Sequence, residues 1–280
     1  MEIIVLVILL LSFVTYGVIE FHKHQSELHS IPIRIHVNGA RGKSSVTRLI
    51  AAGLRAGGIK TIAKTTGSAP RIIDEYGEDH IIHRIRAASI GEQIKLIKEF
   101  ARQKPEAIVM ECMAVQPEYQ WVTEQKMMRS TIGVITNVRP DHLDEMGYDL
   151  ESIALSLSNT IPYNSKFITA EEKIVSPLKS ITKSRNSTFH QSKPNDVSKE
   201  YMMKFPFLEH AENVSLALKV CEKVGIKKDI ALNGMIETKP DPGALEIINI
   251  KSSESRIFFV NAFAANDPHS TLMVWNMMVE

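Results

Sequence analysis

From Ile3 to Ile19 the chain carries no charge, and only Ser12, Thr15 and Gly17 interrupt an otherwise aliphatic and aromatic run. A run of 17 residues is the short end of a bilayer-spanning helix. Glu2 and the Thr15-Tyr16-Gly17 stretch supply neither the basic leader nor the small-residue cleavage site of a secretory signal. The pattern therefore predicts an uncleaved anchor over residues 1–22 that meets the lipid bilayer through residues 3–19. Bases follow it at Lys23, Arg34, Arg41 and Lys43. By the positive-inside rule this implies a single-pass protein of the cell membrane, with the remainder on the cytoplasmic side. The competing reading is a buried helix of a soluble domain, against which stands the absence of any amphipathic pattern in the run.

The period then changes. Ile31, Ile33, Ile35 and Val37 alternate with Pro32, Arg34 and His36, which predicts a strand. A glycine-bearing loop from Asn38 to Lys43 follows, and Val46, Leu49, Ile50 and Leu54 then recur at helical spacing up to Gly57-Gly58. Thr61 to Lys64 reads as a second strand. Ser89 and Glu92 form a capping-box pattern ahead of a helix carrying Ile94, Ile97 and Phe100, closed by Pro105. The short apolar runs Ala107 to Met110 and Ile132 to Ile135 fit strands covered on both faces. Alternating strands and helices predict an α/β fold, a mostly parallel sheet flanked by helices. Beyond Pro162 the pattern gives a strand at Phe167 to Thr169, an irregular polar stretch from Ser180 to Lys199, and an amphipathic helix from Ala211 to Val224. Pro240 to Gly243 reads as a linker. Two strand-like runs, Leu245 to Ile250 and Ile257 to Ala262, and a helical stretch from His269 come after it. The domain expectation is an anchor (1–22), a main α/β domain (30–239) and the start of a second (240–280).

Composition narrows the function classes. Of 280 residues, 33 basic and 32 acidic side chains leave a net charge of +1, so the basic footprint of a nucleic-acid binder is missing and no nucleic-acid partner is expected. The two cysteines, Cys112 and Cys221, form no disulfide framework and no zinc-site spacing, which suits a reducing compartment.

The candidate chemistry begins at His36-Val37-Asn38-Gly39-Ala40-Arg41-Gly42-Lys43-Ser44, which ends in Gly-Lys-Ser at a predicted helix start. Glycines let backbone N–H groups approach a phosphate, and the helix start adds partial positive charge. Lys43 reaches the terminal phosphates, and the Ser44 hydroxyl suits magnesium. Val37 stands where the usual first glycine of such a loop would be. Glu111 and the Asp141-His142 pair follow two other predicted strands. In an open α/β sheet, groups at the carboxyl ends of strands face one crevice, so all three are candidates for metal or base roles. Taken singly, Glu111 also suits a surface ion pair and His142 a helix cap.

The stretch VNGARGKSSV resembles the ATP loop of the Mur ligases and of folylpolyglutamate synthase, whose loops also lack the first glycine. ITNVRPDHLD resembles their DHLD motif and HAENVSLAL their nucleotide-contacting helix start. PGALE resembles their interdomain linker, with Ala244 in place of an arginine. KTTGSAPR, ECMAVQPEYQ, TIPYN and VNAFAANDPHSTL, with the anchor, are most similar to the ligase subunits of bacterial poly-γ-glutamate synthases. The resemblance implies a P-loop-containing Mur-ligase central domain and an ATP-dependent amide ligase. Such a ligase phosphorylates the terminal carboxylate of a γ-glutamyl chain with ATP and couples an incoming glutamate to it. ATP and Mg2+ are the implied cofactors. Glutamate, the poly-γ-glutamate chain and membrane subunits of a synthase complex are the implied partners. It assigns nucleotide contacts to Asn38, Gly39, Ala40, Arg41, Gly42, Lys43, Ser44, Ser45 and Asn213. Magnesium ligation falls to Ser44, Glu111 and His142, with Thr66 or Ser68 as a further ligand, and the catalytic set is Lys43, Glu111 and His142. Two departures stand beside it. Only a short stretch separates the predicted anchor from the first strand, where Mur ligases proper carry a substrate domain, and roughly forty residues after the linker predict an incomplete C-terminal α/β domain. The alternative reading is thus a shortened subunit that binds ATP without completing ligation.

Overall fold

A computed structural model of the protein describes residues 2–67, 69–84, 89–241, 246–251, 256–262, 271–272 and 274–276. Ser68 and the Pro242 to Leu245 part of the linker motif lie outside the described residues.

The apolar N-terminal run is the beginning of a longer helix, α1 (Glu2–His29), long and apolar enough to cross a membrane. Residues 2–23 are exposed, whereas His24, Gln25 and Leu28 are buried. The helix outlasts its apolar stretch because its polar end docks on the domain that follows.

That domain opens with β1 (Ile33–Asn38), α2 (Lys43–Ala56) and β2 (Thr61–Thr65). A short hairpin, β3 (Arg71–Ile73) and β4 (Asp79–Ile81), precedes α3 (Glu92–Gln103) and β5 (Ala107–Glu111). Next, α4 (Pro117–Val122) runs straight into a π-helical turn, Thr123–Met128, before β6 (Ile132–Ile135). Helices α5 (Leu143–Met146) and α6 (Leu150–Leu157) lead to β7 (Lys166–Thr169), α7 (Val175–Ser184) and β8 (Thr188–Gln191). The domain closes with α8 (Lys199–Met202), α9 (Ala211–Val224) and α10 (Lys228–Ile236). Beyond the linker, β9 (Glu246–Lys251) and β10 (Arg256–Asn261) pair antiparallel as a separate two-stranded sheet.

The main sheet runs β4-β3-β2-β5-β1-β6-β7-β8. The strands from β2 to β8 in that order pair in parallel, and β3 runs antiparallel to both its neighbours, β2 and β4. The expected mostly parallel α/β architecture is therefore the observed one. Strand order turns at β1, which lies between β5 and β6, so the carboxyl ends of these three strands bound a crevice. Both faces are covered, which explains the near-continuous apolar character of the central strands. Ile35, Val37, Val109 and Val134 pack with α2, α9 and α10 on one side. Ile62, Ile97, Phe100, Ile108 and Leu28 form a cluster on the other, and Ile135, Ile153, Leu157 and Phe167 form a third.

Two local expectations fail for physical reasons. The capping box at Ser89 does not form: Gly91 stands at the cap without a side-chain bond, and Glu92 instead accepts from Arg84 at 2.7 and 3.0 Å. A two-pronged charge-assisted pair outweighs a single bond to a backbone N–H. The polar stretch from Ser180 is not irregular throughout, since it holds the end of α7 and the edge strand β8. An edge strand that is half-exposed has no need of the apolar run that betrays a central one.

Candidate active site

β1 ends at Asn38, and α2 begins at Lys43 after a four-residue loop. Gly39 and Gly42 take positive φ, +133° and +79°; a Cβ at Gly39 would collide with the Thr136 hydroxyl, and one at Gly42 would lie 2.6 Å from Asn213 Oδ1. Both positions thus require glycine. The loop is gripped from the segment after β6. Ala40 N donates to Asn137 O at 3.1 Å, Arg41 N to Asn137 Oδ1 at 3.1 Å, and Thr136 Oγ1 and Asn137 Nδ2 donate to Arg41 O at 2.6 and 3.1 Å. The α2 start has no side-chain cap and no acid in its first turn, so its positive end is left for an anion. Lys43 Nζ donates to Gly39 O and Ala40 O at 2.7 and 3.1 Å, folded onto its own loop. These are neutral acceptors that a phosphate oxygen, being charged, can displace.

Glu111, the last residue of β5 and only 2% exposed, lies across from the loop. Its carboxylate accepts from Ser44 Oγ at 2.8 Å, from Thr66 N at 2.7 Å and from Thr66 Oγ1. Strands β1, β5 and β2 therefore deliver one carboxylate and two hydroxyls to one point. His142 sits elsewhere on the rim. It occupies the cap position of α5 at φ 45°, its side chain is 49% exposed, and Nε2 is 3.9 Å from Asp141 Oδ1. Asp141 in turn reaches Arg41 Nη2 at 3.7 Å. Among the described residues no three His, Cys, Asp or Glu side chains gather to hold a metal ion unaided. The donors that do converge, Glu111, Ser44 and Thr66, are all hard oxygens. They fit a magnesium-like cation that keeps water or phosphate oxygens as its remaining ligands.

The other assigned residues divide. Asn213, at the start of α9, packs against Gly42 and donates to Glu209 Oε1 at 2.8 Å. Burial raises the Glu209 pKa, opposed by hydrogen bonds from Asn213 and Ser45. Asn38 turns its side chain away from the loop, donating to Gln120 Oε1 at 3.0 Å and Thr160 Oγ1 at 3.3 Å. Sequence reasoning missed Arg48 and Asp241. Arg48 is buried on α2, donating to both Asp79 oxygens at 2.9 and 2.8 Å and to Asp241 Oδ1 at 3.3 Å. This ties the residue before Pro242 to the helix that begins at Lys43. Asp241 also approaches Gly67 and, through it, Ser44. Burial, with the negative Glu111 and Asp79 nearby, raises its pKa against the pull of Arg48. Only the linker motif around Asp241 hinted at this contact.

Residues 37–236 match the Mur ligase middle domain, and residues 247–280 match the poly-gamma-glutamate synthase CapB C-terminal domain. The chain belongs to the Mur ligase family. Within that family it is similar to the capsule biosynthesis protein CapB of Bacillus anthracis, 42% identical over 94% of this chain and 57% of that protein. It is also 39% identical to the PGA synthase CapB of Bacillus subtilis, over 94% of this chain and 68% of the relative. The chain thus spans little more than half the length of the first of these Mur ligase relatives. Among solved structures, the bifunctional folylpolyglutamate synthase/dihydrofolate synthase of Yersinia pestis, complexed with AMPPNP and Mn, shares the fold at a TM-score of 0.70. Identity to it is 15%, over 92% of this chain and 68% of that one.

Proposed function

We propose that this Mur ligase family member is an ATP-dependent amide ligase that extends a poly-γ-glutamate chain at the membrane surface. The observation that carries the reading is the meeting of Ser44, Thr66 and the buried Glu111 beside a glycine loop at the carboxyl ends of β1, β2 and β5. The Mn and AMPPNP of the folylpolyglutamate synthase neighbour and the names of the CapB relatives support it.

In this reading the loop from Gly39 to Ser45 and the α2 N-terminus receive the ATP phosphates, with Asn213 beside the nucleotide. Lys43 leaves its loop carbonyls for the transferring phosphoryl group, where its charge counts most. Magnesium, held by Ser44, Glu111 and Thr66, and by His142 if the rim closes inward, would screen the repulsion between phosphate and carboxylate. A terminal carboxylate oxygen takes the γ-phosphoryl of ATP, releasing ADP. The glutamate amine then attacks the acyl carbon, phosphate leaves, and the amine loses a proton to give the amide. Both steps depend on alignment and exclusion of water. The domain reading places an anchor at 1–22, this ATP domain at 30–239 and ligase-domain sequence from 240. Helix α1 then anchors the enzyme beside membrane subunits of a synthase complex, with the domain on the cytoplasmic side.

The test is hydroxylamine trapping in membranes supplied with ATP, magnesium, glutamate and polymer. The natural chain should form hydroxamate, and Lys43→Ala should lower that rate by about a hundredfold or more. Unchanged turnover in Lys43→Ala would sink the assignment. ATP binding without any hydroxamate would favour the second reading, a nucleotide-binding subunit that completes no ligation.

A further inference from the structure

We infer that the helical segment Pro117–Met128 rests on the bilayer, with Trp121 at the lipid interface and Lys126 against anionic headgroups. The inference deepens the proposed function and rests on α1 crossing the membrane. Its geometric basis is that no flexible linker separates span and domain. Residues 2–23 of α1 are exposed, and docking begins at once with His24 and Gln25. His24 Nε2 bonds Met127 O at 2.9 Å, and Gln25 Nε2 donates to Lys126 O at 2.9 Å.

Distances along the helix then fix the depth. At about 1.5 Å per residue, Ile3 to Ile19 covers about 25 Å, and His24 lies only about 7 Å beyond Ile19. The headgroup layer on each side of a hydrocarbon core is itself about 5–7 Å thick. The backbone of Lys126 and Met127 is therefore held at the outer edge of the headgroups by the same helix that crosses the core. What the protein exposes there suits that environment. Lys126 is exposed, its Nζ lies 5.3 Å from the centre of the Trp121 ring, and Trp121 is 38% exposed. Indole rings favour the interface, and lysines reach from it towards anionic lipid. Lys23 and His22 are exposed on the adjoining turn of α1.

The segment also reaches the site. Between Trp121 and the loop strand stands Gln120, which accepts from Asn38 and donates to Val115 O at 2.7 Å and Ser156 Oγ at 3.3 Å. A surface held on lipid would thereby brace the end of β1.

The experiment uses the full chain in vesicles of phosphatidylcholine and phosphatidylglycerol whose acyl chains carry bromine near the headgroup. With Trp275→Phe, tryptophan emission reports Trp121 alone; it should shift to the blue and fall roughly twofold on reconstitution. Lys126→Glu in that background should reverse much of the loss. Should Trp275→Phe fail to fold, the difference between the natural chain and Trp121→Phe reports the same quenching. A parallel chain, Phe13→Trp with both natural tryptophans changed to Phe, in vesicles brominated deep in the acyl chains, reports the anchor. Quenching of Phe13→Trp without quenching of Trp121 overturns the inference and leaves the anchor standing. Failure of both overturns the membrane reading itself.

Discussion

His36 shows how far a residue's role depends on what lies beside it. In sequence it is one polar position of an alternating strand; in the fold it is fully buried, with Nδ1 2.7 Å from Glu124 Oε2. Glu124 also accepts from Ser130 N and Oγ at 2.8 and 2.9 Å, so this ion pair joins β1 to the π-helical turn. Burial opposes the imidazolium, but the Cys112 and Glu124 side chains beside it more than offset that and push its pKa from 6.5 up to about 10. A raised folded-state pKa means the contribution to stability is complete below 6.5 and is lost as pH climbs towards about 10. Denaturant unfolding across that window should show stability falling with pH, and Glu124→Gln should flatten the slope. A flat profile in the natural chain would refute the pairing. Lys43, Ser44 and Glu111 could be singled out from sequence because each sits at a strand end or helix start that periodicity marks. Arg48 and Asp241 could not, because their meeting depends on a contact between distant parts of the chain.

At the scale of elements, the loop before α2 is set by conformation as much as by chemistry. Gly42 and Gly58 both hold left-handed φ, at +79° and +82°, yet only at Gly42 would a Cβ meet a neighbour, Asn213; at Gly58 nothing lies within 4 Å. Gly58→Ala should cost about 1 kcal/mol and leave nucleotide binding intact. Gly42→Ala should cost about 1–3 kcal/mol and abolish the thermal shift produced by an ATP analogue. Equal shifts in the two variants would show that the loop tolerates displacement of Asn213. The central strands and α9 stood out in the sequence because burial on both faces, or on one helical face, imposes an apolar pattern. Edge strand β8 and the failed cap at Ser89 did not, since each was decided by partners: β7 for one, Arg84 for the other.

For the whole molecule, the consequential feature is the continuity of the apolar helix α1 with the core. Leu28 is fully buried among Ile97, Phe100 and Met128, although it belongs to the same helix as the exposed apolar run. Leu28→Ala should destabilise the α/β domain by about 2–5 kcal/mol, whereas Leu10→Ala, on the exposed stretch, should leave its unfolding midpoint in detergent unchanged. Equal effects would mean that helix and domain are not packed as described. The helix therefore meets two environments, exposed over residues 2–23 and packed in protein at Leu28.

By itself the sequence determined the alternation of strands and helices, the apolar helix, the glycine loop and the strand ends that carry chemistry. All of these follow from local periodicity and steric demands that each segment satisfies alone. Tertiary structure alone decided that Thr66 shares Glu111 with Ser44, that Thr136 and Asn137 grip the loop and that Arg48 holds Asp241. It also decided that α1 continues into the fold to bury Leu28. Such pairings turn on distances between segments far apart in the chain, and strand order and helix docking set those distances.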